Sequence, residues 1–175
     1  AQVAKGAKLG WNVTVGAFSI VEDGAVIGDD CVLNSHVVIT RFTELGSACM
    51  VHSNAVIGDT PQDLGFKACD SRVKIGAGTV IREGVTIHRG SKPGSVTDVG
   101  DNCYLMAYSH IAHDVKLGQN VIVANNVLLA GHVTIGDGAF ISGAVGVHQF
   151  VRIGRIAMVG GGSGLGGAVI FSRPL

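Results

Sequence analysis

The stretch Val99-Gly-Asp-Asn-Cys-Tyr-Leu105-Met-Ala-Tyr-Ser-His-Ile111-Ala-His-Asp-Val-Lys-Leu117 carries an aliphatic residue at every sixth position. The same spacing extends in both directions, from Val3 to Leu165. Of the 28 positions in this series, 25 hold Ile, Leu or Val, and the exceptions are Asp63, Cys69 and Pro93. Chance does not give such a series, so a six-residue repeat organises the chain.

Two further columns follow the same period. The residue after the aliphatic one is often Gly, and the residue four places after it is small or β-branched. A helix cannot hold a period of six with β-branched residues dominating, whereas a short strand followed by a corner can. Three hexads make one triangular coil, so residues 18 apart stack about 4.8 Å apart along the axis. The sequence therefore predicts an all-β fold, a parallel β-helix built as a hexapeptide-repeat prism of roughly nine coils.

The repeat is interrupted twice. Residues 59–74 and residues 89–98 carry Pro, Gly and charged residues in place of the regular pattern. Insertions that leave a regular solenoid often carry function or form an interface, and a tolerated surface loop is the alternative. We expect one hexapeptide-repeat β-helix domain over residues 1–167 with these two excursion loops, followed by a short C-terminal tail over residues 168–175.

Composition narrows the classes of function. The 175 residues are 47% hydrophobic and 15% charged, which suits a folded domain with a large core. Lys plus Arg number 13, as do Asp plus Glu, so no overall charge favours nucleic acid or an anionic membrane. No apolar run reaches about 18 residues, so no integral membrane segment is expected. The four cysteines form no CxxC pair, and we expect reduced thiols in a cytoplasmic protein.

From Val99 to Leu165 the repeat is unbroken, so spacing predicts which corner residues share an edge of the prism. Adding 18 to His113 gives Gly131, and adding 18 to Asp114 gives His132. Adding 36 to Ala112 gives His148, and adding 36 to His113 gives Gln149. One edge is therefore predicted to hold His113, Asp114, Gly131, His132, His148 and Gln149.

A histidine beside a carboxylate is a general-base arrangement. His113 would accept a proton near neutral pH, and a hydrogen-bonded Asp114 would fix its tautomer and stabilise the imidazolium. Gly131, one coil away, leaves a backbone N–H approachable, and such an N–H could stabilise an oxyanion. No serine or cysteine is clearly placed as a nucleophile, which favours direct attack by a substrate hydroxyl.

Two other interpretations of this edge stay open. The histidines could be solvated corner residues without a catalytic role. Alternatively, His110 and His113 could form half of a metal site, as in the trimeric hexad-repeat carbonic anhydrases, which bind zinc through three histidines. Spacing does not bring three ligands to one point, so we expect no metal and no other cofactor.

A second column runs at steps of 18 through His52, Asp70, His88 and Met106. It crosses both interruptions of the repeat. It is predicted to lie on another face of the prism, from which it could meet the His113 edge only across a subunit interface.

The motifs at these positions resemble those of the UDP-N-acetylglucosamine acyltransferases of lipid A synthesis. They are Thr86-Ile-His-Arg-Gly90, His110-Ile-Ala-His-Asp114, Ala124-Asn-Asn126, Leu129-Ala-Gly-His-Val133, Val147-His-Gln-Phe150 and Met158-Val-Gly-Gly161. The likeness covers nearly all of residues 1–165. It is specific, because the sister N-acyltransferase family has Asp where His88 stands.

This resemblance implies a homotrimer of left-handed β-helices with active sites between subunits. It implies transfer of a 3-hydroxyacyl chain from acyl carrier protein to the 3-hydroxyl of UDP-N-acetylglucosamine, the first step of lipid A biosynthesis. By motif match, His113 would be the base, Asp114 its orienting partner and Gly131 the oxyanion donor. The substrate contacts implied by the resemblance are His88, His110, His132, His148 and Gln149.

The resemblance also implies two contacts away from this edge. Asp63 in the first loop would hold the sugar nucleotide from a neighbouring subunit. Gly161 matches the family's acyl chain-length position, where Gly leaves room for a longer chain.

Two departures from the family pattern leave alternatives open. The family carries a lysine directly after Gln-Asp-Leu, whereas this chain has Gly65 there and Lys67 two positions later. The family continues into a long C-terminal helical domain, whereas this sequence ends at Leu175. The alternatives are a catalytically impaired or repurposed β-helix that binds a ligand on the same edge, and a zinc enzyme of the carbonic anhydrase type.

Overall fold

The structure, a computed structural model, describes residues 1–167 and the backbone of the strand Val169–Ile170. Within these residues the chain forms 26 short strands and no helix. The strands make three parallel sheets, and each coil of the chain adds one strand to each sheet in turn. The predicted fold class, a left-handed parallel β-helix, is confirmed.

The strands are numbered here in chain order and grouped by sheet. The first sheet contains β1 (Gln2–Val3), β4 (Ile20–Val21), β7 (Val38–Ile39), β10 (Val56–Asp59), β13 (Thr86–His88), β16 (His110–Ile111), β19 (Leu128–Leu129), β22 (Gly146–Val147) and β25 (Gly164–Leu165). The second contains β2 (Lys8–Leu9), β5 (Val26–Ile27), β8 (Thr43–Leu45), β11 (Arg72–Ile75), β14 (Val96–Val99), β17 (Lys116–Leu117), β20 (Thr134–Ile135), β23 (Arg152–Ile153) and β26 (Val169–Ile170). The third contains β3 (Thr14–Val15), β6 (Val32–Leu33), β9 (Met50–Val51), β12 (Val80–Ile81), β15 (Tyr104–Leu105), β18 (Ile122–Val123), β21 (Phe140–Ile141) and β24 (Met158–Val159).

Each hexad divides its residues between core and corner. Away from the two ends of the prism, the aliphatic residue points inward and is buried, as at Ile111 and Leu129. The small residue four places later fills the inside of the corner, as Val115 does. The corners turn through the left-handed backbone region, with φ of 60° at Asp114 and 62° at His132. The hydrophobic core is thus a column of stacked aliphatic side chains that holds each corner at a fixed height.

The two excursions are shorter than the predicted loops, because pairing continues at their ends. Strand β10 extends to Asp59 and β11 begins at Arg72, so the first excursion covers residues 60–71. Residues of β11 pair with β8 on one side and β14 on the other, which keeps them in the sheet. The second excursion covers residues 89–95, because β14 begins at Val96.

The predicted column through His52, Asp70, His88 and Met106 is wrong. Ile57 pairs with Ile87, thirty positions along, and Thr86 with His110, twenty-four along. The excursions therefore add twelve and six residues to their coils, and a step of 18 fails across both. His88 ends β13 in the first sheet, beside His110 of the same chain rather than across a subunit interface.

Three further expectations concern the C-terminal tail, membrane-spanning segments and the cysteines. Of the tail predicted over residues 168–175, only Val169–Ile170 is described, and this strand pairs with Arg152–Ile153; the rest of the tail lies outside the described residues. Among the residues described, the structure holds no helix long and apolar enough to cross a bilayer. All four cysteines are free thiols, and three of them are buried.

Candidate active site

The corner that joins the first and second sheets carries the predicted residues on three successive coils. Its turns follow β16, β19 and β22 and contain His113, Gly131 and Gln149 at equivalent positions. Beside this corner, a groove of about 850 Å³ runs along the outer face of the first sheet. Its walls include His110, His113, Gly131, His148 and Gln149.

His113 and Asp114 form the central pair of the site. The Nδ1 atom of His113 lies 2.9 Å from Oδ2 of Asp114, and both side chains are 10% exposed. The backbone N–H of Asp114 donates to Oγ1 of Thr97 at 2.8 Å, which holds the turn against the sheet. With Nδ1 directed to the carboxylate, Nε2 is the ring nitrogen free to accept a proton.

Asp114 is also held by the second excursion loop. The Ser91 hydroxyl donates to Oδ2 of Asp114 at 2.6 Å, and the Ser91 backbone N–H donates to the same oxygen at 3.1 Å. Burial raises the pKa of Asp114, but hydrogen bonds from Ser91, His113 and Ser95 outweigh it, so its pKa lies below the ordinary value. The carboxylate is thus kept charged beside the imidazole.

Gly131 packs directly against the His113 ring. A Cβ built on Gly131 would lie 2.6 Å from Nε2 of His113, which is far inside van der Waals contact. Within the described residues, the Gly131 backbone N–H donates to no acceptor. A free N–H therefore stands beside the ring nitrogen that could act as a base.

His132 lies close to both Asp114 and His113. Its Nε2 is 3.7 Å from Oδ2 of Asp114, and its ring meets the His113 ring edge-on at 5.1 Å. Phe150 of the next coil stacks on His132 at 4.6 Å. The ligand atoms of His113, Asp114 and His132 lie within 4.8 Å of one another, so a metal could be held here; His110 is not in this group.

His110 lines the next part of the groove, and the buried His88 lies against it outside the groove lining. The rings lie 4.8 Å apart and edge-on, and Nδ1 of His110 is 2.7 Å from Oγ1 of Thr86. Burial, together with the neighbouring His88 and His113, lowers the pKa of His110 to about 4. Burial also lowers the pKa of His88, whose Nδ1 has no hydrogen-bond partner within the described residues. Both rings are therefore neutral at neutral pH.

The remaining predicted residues divide between the groove and other places. His148 and Gln149 are exposed and line the groove. Asp63 is exposed outside the groove lining, and its carboxylate accepts the backbone N–H of Gly65 at 2.8 Å. Gly161 lies at the corner between the third and first sheets, also outside the lining. Within one chain, Asp63 and Gly161 are thus apart from the His113 corner.

Two residues of the site, Gln62 and Ser91, come from the excursions. The six-residue spacing could not predict them, because the repeat is interrupted there. Gln62 of the first excursion reaches the groove. That excursion is fixed to the body by Arg89, a buried side chain whose guanidinium lies 4.1 Å from the Phe42 ring and 5.2 Å from the Phe66 ring. Arg89 also donates to the carbonyl of Cys69 at 2.8 Å. Ser91 of the second excursion is the other residue that spacing could not find.

The groove changes character along its length. Near His113 it is polar, and towards the C-terminal coils its floor is formed by outward positions of β19, β22 and β25. These positions hold Leu128, Gly146 and Gly164, and a Cβ on either glycine would meet no atom within 4 Å. A polar reaction corner therefore opens onto a shallow apolar channel that suits a hydrocarbon chain.

Comparison with known proteins places the chain among hexapeptide-repeat transferases. A family described as bacterial transferase hexapeptide (six repeats) matches residues 6–41 and 97–131. An acyl-[acyl-carrier-protein]–UDP-N-acetylglucosamine O-acyltransferase of Campylobacter concisus is 42% identical over 172 residues, which are 97% of this chain and 66% of that protein. The enzyme of the same name from Bartonella henselae is 52% identical over 171 residues, 97% of this chain and 62% of that protein.

Solved structures agree with these relatives. A UDP-N-acetylglucosamine acyltransferase from Bacteroides fragilis superposes with a TM-score of 0.93 at 38% identity, covering 94% of this chain and 65% of that one. The corresponding protein of Arabidopsis gives a TM-score of 0.79 at 34% identity, covering 92% and 64%. The chain thus spans about half to two thirds of the length of the curated relatives it matches.

Proposed function

The chain belongs to the hexapeptide-repeat family of acyl-[acyl-carrier-protein]–UDP-N-acetylglucosamine O-acyltransferases, and from this membership we propose that it transfers a 3-hydroxyacyl chain to UDP-N-acetylglucosamine. The donor is acyl carrier protein, and the acceptor is the 3-hydroxyl of the sugar. In this proposal the reaction is the first step of lipid A biosynthesis. The observation that supports it best is the buried His113–Asp114 pair with the unbonded Gly131 N–H beside it.

The proposed step is a direct acyl transfer. Nε2 of His113 takes the proton of the sugar 3-hydroxyl as that oxygen attacks the thioester carbonyl carbon. The carbonyl oxygen becomes an oxyanion that accepts the Gly131 N–H. Collapse breaks the C–S bond, and the imidazolium returns its proton to the leaving thiolate, so the products are the ester and the free carrier thiol. Asp114 holds the imidazole tautomer and stabilises the cation that forms in between.

The other polar residues in or beside the groove are proposed to bind substrate. His148 and Gln149 are exposed beside the reaction corner and can donate or accept hydrogen bonds to a sugar or a thioester arm. His110, half-buried, and His88, buried, are neutral and offer uncharged ring nitrogens to substrate oxygens. His132, braced on Phe150, completes this set.

A homotrimer is proposed on the basis of the third sheet. Its outward positions are largely apolar, and they include Met50, Ile122, Phe140 and Met158, of which Met158 is 74% exposed. A long apolar face of this kind indicates a surface that is covered in the assembled protein. We propose that packing of three chains covers this face and brings Asp63 and Gly161 to the groove of a neighbouring subunit. Asp63 would there hold the sugar nucleotide, and Gly161 would leave room for the acyl chain.

We place the reaction in the cytoplasm. All four cysteines are free thiols, which suits a reducing compartment.

An assay with a 3-hydroxyacyl carrier thioester and UDP-N-acetylglucosamine tests the proposal. The wild-type chain is expected to turn over, and His113→Ala is expected to lose transfer while still forming trimers by light scattering. His36→Ala, an exposed histidine at another corner, is the matched control and should keep full activity. Full activity in His113→Ala would end the proposal.

The same assay separates the alternatives. Nucleotide binding without turnover in the wild-type chain would favour a repurposed binding prism. The proximity of His113, Asp114 and His132 supports a metal enzyme as the other candidate. Stoichiometric zinc in the purified protein, with activity lost on chelation, would favour that candidate over metal-free acyl transfer.

A further inference from the structure

We propose that Ser91 is a positioning residue of this site, which directs the Asp114 carboxylate to His113 instead of His132. The inference rests on the proposed function for its kinetic consequence. Its structural basis is independent of substrate, and neither the spacing of the repeat nor the motif match assigns this residue a role.

The first line of support is the geometry around a single oxygen. Oδ2 of Asp114 accepts the Ser91 hydroxyl at 2.6 Å, the Ser91 N–H at 3.1 Å and His113 Nδ1 at 2.9 Å. Two of these three bonds come from the second excursion, not from the β-helix coils. The excursion therefore contributes two bonds to this oxygen, against one from the β-helix coils.

His132 competes with His113 for the Asp114 carboxylate. Nε2 of His132 lies 3.7 Å from the same oxygen, and its ring contacts the His113 ring edge-on. The last torsion of an aspartate side chain is broad, so rotation of the carboxylate towards His132 meets little intrinsic resistance. With Ser91 donating to Oδ2, that oxygen is held in the position from which it reaches Nδ1 of His113. Without the hydroxyl, the carboxylate can divide between the two imidazoles.

The third line is that Ser91 is presented on a fixed loop. The Lys92 N–H donates to Oγ of Ser95 at 3.0 Å, and the Ser95 N–H donates to the carbonyl of Lys92 at 3.0 Å. The Gly94 N–H donates to the carbonyl of Asp70 at 2.7 Å, which ties the second excursion to the first. A rigid turn can hold a hydroxyl at one place, as a positioning role requires.

Kinetics of Ser91→Ala, Ser91→Cys and Ser91→Thr test the inference. Ser91→Ala keeps the backbone donor and loses the hydroxyl, so kcat should fall about tenfold while KM for the sugar nucleotide changes less than twofold. Ser91→Thr keeps the hydroxyl and should retain most of the activity, and Ser91→Cys, a weak donor, should fall in between. Ser47→Ala removes an exposed hydroxyl at another corner and is the matched control, expected to match wild type. Equal kcat in all four variants would overturn the inference.

Nitrogen-15 spectra of the His113 ring give a readout that does not need substrate. In the wild-type chain the proton of the neutral ring is expected on Nδ1, and in Ser91→Ala the Nε2–H tautomer should gain population. If the wild-type chain shows no acyl transfer, the proposed function fails while this tautomer shift still supports the positioning role. An unchanged tautomer in Ser91→Ala overturns the positioning role even if the wild-type chain is active.

Discussion

His113 and Gly131 lie one coil apart at the same corner, and the His113 imidazole occupies the space that a side chain on Gly131 would need. The contact is direct, because a Cβ on Gly131 would stand 2.6 Å from Nε2 of the ring. The absence of a side chain therefore has two consequences at once. It leaves room for the His113 ring, which is the proposed base. It also leaves the Gly131 N–H accessible to a substrate bound beside that ring.

Replacement of Gly131 by alanine should reduce acyl transfer at least 100-fold. The added methyl group displaces the His113 ring from Asp114 and narrows access to the Gly131 N–H, and loss of one oxyanion donor alone typically costs 10²–10³ in kcat. Steady-state kinetics on the purified protein measure the effect.

Gly143→Ala is the matched control for that substitution. A Cβ on Gly143 would meet only the Asn125 carbonyl, at an ordinary 3.4 Å, and it lies at a different corner. Transfer by Gly143→Ala should stay close to wild type. Near-normal kcat in Gly131→Ala would contradict both roles assigned to that position.

The six-residue spacing suffices to place His113, Gly131 and Gln149 at one corner, because the repeat between Val99 and Leu165 contains no insertion. A regular coil leaves no freedom in the register, since a slip of one residue would turn every buried aliphatic side chain to solvent. For this part of the chain, the pattern of buried residues determines the geometry of the site.

The spacing does not predict the geometry of the two excursions. The position of His88 depends on how many residues leave the coil, and the sequence marks the interruptions without fixing the point where pairing resumes. Gln62 and Ser91 reach the site through contacts made by loops, such as the Arg89 contact with two aromatic rings. Contacts of that kind depend on side chains distant in sequence and leave no periodic signal.

Arg89→Met should loosen the first excursion. The guanidinium is buried between Phe42 and Phe66 and donates to the Cys69 carbonyl, and a desolvated cation–π contact with a charge-assisted hydrogen bond is worth about 2–4 kcal/mol. Amide exchange over residues 60–71 should become at least tenfold faster, and KM for the sugar nucleotide should rise if Gln62 contacts it.

Arg41→Met is the control for this change. Arg41 also lies over the Phe42 ring, at 5.3 Å, but its side chain is exposed. Exchange in the first excursion should be unaffected by it. Unchanged exchange in Arg89→Met would show that other contacts hold the loop.

Gly146→Leu should fill the apolar part of the groove without harming the fold. A Cβ at this position meets no atom within 4 Å, and its φ lies outside the left-handed region, so a leucine there costs little in stability. The thermal midpoint should stay within a few degrees of wild type, while transfer of a long acyl chain falls relative to a short one. Competition between donors of two chain lengths measures this, and an unchanged preference would exclude the channel as the acyl site.

The half-buried His110 ring makes the stability of the fold depend on pH. In the folded chain, burial beside His88 and His113 lowers its pKa from 6.5 to about 4, so the unfolded chain binds the proton first as the pH falls. Stability should therefore be full above about pH 6.5 and decline towards pH 4. At pH 5 the shifted pKa of His110 lowers the free energy of unfolding by at most about 2 kcal/mol, and by less with solvent screening. The lowered pKa of Asp114 acts in the same direction but only below its ordinary value of 3.8, so the two effects occupy different ranges.

Thermal midpoints at pH 7 and pH 5 test this assignment. The wild-type midpoint should fall by a few degrees between the two. His110→Gln removes the titrating ring, so its midpoint should fall less, with the remainder due to His88, whose pKa is also lowered by burial. His36→Gln changes an exposed histidine and should show the full wild-type fall. An equal fall in His110→Gln would mean that the His110 ring is not the group whose protonation opposes folding.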